Sequence, residues 1–86
     1  MNSSTTPDFW KCFYALPKEI QTQAKKKYFL WKKNPRHPSV RFKKVGTLWS
    51  VRIDENYRAL SLKESDIFYW FWIGNHENYI KLITGH

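Results

Sequence analysis

Two arginines, Arg52 and Arg58, stand on either side of the short polar stretch Asp54-Glu55-Asn56. If those three residues turn a hairpin, Ile53 closes against Tyr57, and the next pair outward sets Arg52 directly opposite Arg58. Like charges in that cross-strand position repel unless an anion sits between them, and paired guanidiniums are well shaped to hold a phosphate. The competing arrangement has each arginine reaching a carboxylate such as Asp54 or Glu55, or laying its stem over the sheet edge. His76 follows the last apolar run, in Gly74-Asn75-His76-Glu77-Asn78-Tyr79, and can return to the same sheet end as Asn56. An imidazole beside two arginines suits acid–base work on a phosphate near neutral pH. A lone histidine after a strand also serves as a turn residue or helix cap, and the same holds for His37 in Pro35-Arg36-His37-Pro38.

Other chemistries find no footing. There is no phosphate-cradling glycine loop, no nucleophile elbow and no paired histidine spacing for zinc. Cys12 is the single cysteine of the 86 residues, so neither an internal disulfide nor a cysteine metal cluster can form. No metal or cofactor is expected.

The elements that must position these groups are legible from periodicity. Thr6-Pro7 reads as an N-cap and first helical residue, with Phe9, Phe13 and Leu16 making a buried stripe over about residues 7–15. Pro17 opens a second helix that Asn34-Pro35 stops after Lys33. On it Ile20, Ala24, Tyr28 and Trp31 form one apolar stripe, while Lys18, Lys25, Lys32 and Lys33 fall opposite with Phe29 among them. From Val40 the period changes to two. Strands are expected near 41–45, 48–53, 57–62 and 67–73, joined by short links that imply antiparallel hairpins, with a closing helix over 77–83. The last strand is apolar on both faces, Phe68, Trp70 and Trp72 alternating with Ile67, Tyr69, Phe71 and Ile73. One face must pack on helices, and the surplus face marks a cleft or a partner surface. The expectation is a single α+β domain spanning 1–86, in which residues 1–5 are a flexible lead. A helical pair packs on a four-stranded antiparallel sheet, and a short C-terminal helix follows.

Charge adds a partner class. Ten basic residues and one acid lie between Lys18 and Lys44, against five basic and six acidic elsewhere, so the whole excess of the net +8 belongs to one segment. Such a patch is the footprint of a nucleic-acid binder or of a surface that meets an acidic protein, and a solvated lysine face is the plainer alternative. The candidate RNA-contacting residues are Lys25, Phe29, Lys32, Lys33, Arg36, His37, Arg41, Lys43 and Lys44. The N-terminus lacks a secretory pattern and no apolar run reaches membrane-spanning length, which points to the cytoplasm and away from membranes.

Asn34-Pro35-x-His37-Pro38-Ser39, Leu48-Trp49-Ser50-Val51-Arg52-Ile53, Tyr57-Arg58-Ala59-Leu60 and Trp70-Phe71-Trp72-Ile73-Gly74-x-His76-x-x-Tyr79 together resemble the RelE/ParE superfamily of bacterial type II toxin–antitoxin systems. The resemblance covers about residues 6–83. It implies either a metal-independent endoribonuclease that cuts messenger RNA on the ribosome, or a gyrase inhibitor that needs no catalytic residues. A simple nucleic-acid-binding module sharing only the shape is a third possibility. For the toxins the resemblance implies a small acidic antitoxin as partner, encoded next door, with DNA contact only through the toxin–antitoxin complex. By position, Arg58 matches the arginine that stabilises the phosphate, Arg52 a basic residue on the preceding strand and His76 the general acid. Tyr79 matches a residue that orients the nucleotide by stacking or hydrogen bonding. Some relatives carry a lysine where this chain has Ser50, so the general base falls open to His37 or to Lys43 or Lys44.

Overall fold

Thr6 sets the start of the first helix: its side-chain oxygen accepts the Phe9 N–H at 3.2 Å, and Pro7 occupies the first turn where no donor is needed. In the computed structural model, which describes residues 2–85, this helix is α1, Pro7–Tyr14, and it follows a strand β1, Asn2–Thr5. Then come α2, Lys18–Lys33, and the strands β2, Lys43–Val45, β3, Leu48–Arg52, β4, Tyr57–Glu64, and β5, Ile67–Asn75. The last element is α3, His76–Thr84.

The α+β class stands, but the sheet is larger than expected and mixed. Its order is β1-β5-β4-β3-β2. Residues 2–5, expected to be a flexible lead, instead run parallel to β5 with Asn2 opposite Ile67 and Thr5 opposite Trp70. The Thr6 N–H continues the ladder to the Trp70 carbonyl at 3.0 Å. Asn-Ser-Ser-Thr carries no alternating apolar signal, and its bonds are made by backbone alone, which a hydrophobic pattern does not register. The strand expected from residue 41 begins at Lys43, because Arg41 sits at φ 46°, outside extended geometry.

Two cores sandwich the sheet. On one side Trp31, 1% exposed, meets Phe68 and Trp70 edge to face at 5.6 and 5.2 Å, while Phe13, Ile20, Ala24, Val40, Val51, Ile53, Ala59 and Ile73 complete the cluster. On the other side α3 drops Tyr79 onto Leu48 and Leu60, with Phe71 and Trp72 half-buried around it. A bulge resolves the double-faced β5. Pairing runs Leu60 with Trp72 and then Ser61 with Trp70, so Phe71 is the extra residue. Phe68, Trp70 and Ile73 therefore face α1 and α2. Trp72, which strict alternation would have grouped with Phe68 and Trp70, turns to the α3 side.

Candidate functional site

The hairpin between β3 and β4 has the expected closure: the Ile53 N–H donates to the Tyr57 carbonyl at 3.0 Å. Asp54 fixes the turn by accepting the Asn56 and Tyr57 N–H groups on Oδ1 at 2.8 and 3.0 Å. Arg52 thereby stands opposite Arg58, and cross-strand partners share a sheet face. Because the Asp54 carboxylate is turned onto the loop amides, Arg58 does not take it as a counter-ion. Its Nη1 donates instead to the Asp54 and Tyr57 carbonyls. Burial pushes the Arg58 guanidinium below its ordinary pKa, and the charges of Arg52 and Arg41 act the same way against the opposing pull of Tyr79 and Asp54. Asp54 therefore offsets only part of the positive potential at this sheet end, and an anion gains from the remainder.

His76 reaches the same place through its backbone. Its N–H donates to the Asn56 carbonyl at 2.7 Å, tying the start of α3 to the hairpin loop. Asn75 caps that helix by accepting the Asn78 N–H at 2.9 Å. The exposed imidazole lies against the Tyr79 ring with centroids 5.8 Å apart. Tyr79 itself is only 4% exposed and belongs to the core beneath α3, so its ring offers no face to a nucleobase. Of the two ways in which Tyr79 is expected to orient a nucleotide, stacking is closed by this burial and hydrogen bonding is left. The aromatic on this face that does stand beside Arg58 is Trp72. Gly74 is the cross-strand partner of Arg58, and a Cβ at Gly74 would come within 2.5 Å of the Trp72 ring, so the indole is laid over the glycine. Ser50 is 2% exposed and has Lys43 as its partner across the sheet. Lys43 thus shares the face of Arg52, whereas Lys44, opposite Trp49, is on the other.

The basic residues of α2 divide into two flanks. Lys25 and Phe29, the latter 64% exposed, line an apolar groove of about 470 Å³ with Trp10, Phe13 and Tyr28, away from the arginines. Lys32 and Lys33 remain in solvent, as does Arg36 on the connector, with the Lys32 ammonium 5.7 Å from the Tyr28 ring centre. On the opposite flank Gln23 and Lys27 line a cleft of about 540 Å³ with His37, Ser39, Arg41, Arg52, Asp54 and Glu55. Sequence reasoning missed Lys27. Its signal was the four-residue step from Gln23, which lines both up along one flank of the apolar stripe.

A family model described as a ParE-like toxin domain matches residues 18–81. No curated protein is similar enough in sequence to match. Among solved structures, YafQ from E. coli strain BL21(DE3) superposes with a TM-score of 0.73 at 9% identity, over 91% of this chain and 96% of that one. The RelB–RelE antitoxin–toxin complex from Methanococcus jannaschii gives 0.71 at 13% identity, over 91% and 95%. A mutant E. coli toxin RelE in the free state gives 0.64 at 14% identity, over 98% and 95%. At such identities the likeness is one of fold.

Proposed function

Because the chain belongs to the ParE-like toxin domain family, we propose that it is the toxin of a toxin–antitoxin pair and that it acts as a ribosome-dependent endoribonuclease on messenger RNA. The observation that carries the reading is the Arg52–Arg58 cross-strand pair, two cations held on one face with the nearest carboxylate spent on the hairpin loop. An inhibitor that acts by binding alone has no need of that arrangement with a histidine tied to the same loop.

In the proposed reaction the ribose 2′-hydroxyl attacks the adjacent phosphorus. A 2′-O–P bond forms, the P–O5′ bond breaks, and a cyclic phosphate and a free 5′-hydroxyl result. Arg58, anchored by the Asp54 and Tyr57 carbonyls, stabilises the extra negative charge with Arg52. His76 gives a proton to the departing 5′-oxygen. Trp72, beside Arg58, takes the stacking role that Tyr79 is too buried to fill. Lys43, which shares the face of Arg52, is our candidate for the base that takes the 2′-hydroxyl proton, a step open only to its neutral amine. The partner proteins are an antitoxin, as in the solved RelB–RelE complex, and the ribosome.

Following messenger RNA with purified protein, with and without ribosomes, tests this. Cleavage should require ribosomes, and Arg58→Ala or His76→Ala should each slow it by at least about 100-fold, the scale of losing an oxyanion donor or a general acid. The second reading, gyrase inhibition, is what the resemblance to ParE-like members implies. Inhibition of DNA supercoiling that survives both substitutions, with no RNA cut, would establish it instead.

A further inference from the structure

The cleft between α2, the connector over residues 34–42 and the β3–β4 hairpin is built around one hydrogen-bond chain. Lys27 Nζ donates to the Ser39 carbonyl at 2.9 Å, and the Ser39 N–H donates to His37 Nδ1 at 3.1 Å. Ser39 Oγ is also 2.9 Å from that nitrogen. A backbone N–H can only donate, so Nδ1 must carry a lone pair. The neutral ring is consequently the Nε2–H tautomer, and Nε2 is the edge left free to meet a ligand. The connector is sewn to its neighbours by further backbone bonds: His37 N–H to the Asn34 carbonyl, Val40 N–H to the His37 carbonyl and Arg52 N–H to the Val40 carbonyl, at 3.0, 3.1 and 2.8 Å. His37 is therefore held, not swinging.

The charged groups around it are Lys27, Arg41 and Arg52, with Asp54 and Glu55 on the hairpin. Asp54 is committed to the loop amides and Glu55 is exposed. We infer that this cleft is a second phosphate site, in which Lys27, Arg41 and Arg52 supply charge and His37 Nε2–H is a fixed hydrogen-bond donor that moves no proton. The ligand class, a phosphodiester one nucleotide removed from the scissile one, rests on the ribonuclease reading, whereas the geometry rests on the cleft alone. Sharing Arg52 between both sites sets the register of the strand to be cut, since a chain held at two phosphates cannot slide. Burial and Arg52 together lower the Lys27 pKa, a discomfort that a bound anion would relieve.

The test uses the full chain and two probes that cannot be cleaved, inorganic phosphate and a trinucleotide with 2′-O-methyl riboses. Nitrogen NMR of the free protein should show His37 protonated at Nε2 only, and both probes should shift that signal. By calorimetry Lys27→Met and His37→Ala should each weaken trinucleotide binding about tenfold, the scale of one charge-assisted or donor contact. His37→Gln, whose amide nitrogen falls near the lost Nε2, should bind within about twofold of the parent, with unfolding temperatures checking that each variant is folded. Gln as poor as Ala, an Nδ1 proton in the free protein, or no loss with Lys27→Met would each overturn the inference. A shift with phosphate alone would overturn the RNA assignment. Binding that behaves as expected in a protein that cuts no RNA would sink the nuclease reading and leave the cleft standing.

Discussion

Arg58 and Lys27 share one predicament: both are pushed below their ordinary pKa values by burial, and the charge of Arg52 acts on both in the same direction. For Lys27 this has a consequence in pH. A lysine whose folded pKa lies below its unfolded value binds fewer protons when folded, so stability rises with pH across the window ending near the ordinary value of 10.5. Urea denaturation across that alkaline window should show this rise in the parent and a flatter profile in Lys27→Met. A steeper slope in the variant would refute the account. Arg58 cannot escape its strain by losing a proton, because guanidinium stays charged throughout the working range. An anion bound between Arg58 and its cross-strand partner Arg52 would offset the repulsion between them, in keeping with the pair proposed above as the reacting centre.

At the scale of elements, the turn at the end of β5 depends on Gly74 having no side chain. Gly74→Ala would drive a methyl into the Trp72 ring, and the indole must leave its place beside Arg58 or the strand must shift. A loss of about 1–3 kcal/mol in chemical denaturation is expected, together with a change in Trp72 fluorescence. Arg41 and Ser65 are both held at positive φ, 46° and 54°. Replacing either by glycine should add about 1 kcal/mol of stability by releasing the left-handed penalty. Only Arg41→Gly should also weaken RNA binding, since Ser65 lies in the far β4–β5 turn. The sequence made much of this readable. Arg52 opposite Arg58 followed from a three-residue loop, the hairpins from their short links, and the stripe Ile20, Ala24, Trp31 from the helical period. What escaped it has physical causes. The β1 pairing is backbone-only, the bulge at Phe71 breaks the two-residue alternation without any Gly or Pro to announce it, and the burial of Tyr79 depends on where α3 lands. Lys27 was hidden because charge counting treats a basic helix as one face, while packing divides it into two.

For the molecule as a whole, a net charge of +8 gathered into residues 18–44 makes affinity for RNA a matter of salt. If both phosphates of the uncleavable trinucleotide are held, its binding should fall roughly sevenfold between 50 and 200 mM salt, following a slope near −0.7 per contact for single strands. Arg52→Ala should flatten that dependence by about one contact, as calorimetry at several salt concentrations would show. On the proposed ribonuclease reading, the long basic flank of α2, lying apart from the arginine pair, would give a larger RNA a grip that a trinucleotide does not test. The parallel pairing of Asn2–Thr5 with Ile67–Trp70 has a consequence in time. Asn2–Thr5 can find their place only once β5 has been made, and His76 follows that strand. A growing chain therefore lacks both this sheet margin and His76 until β5 has been made.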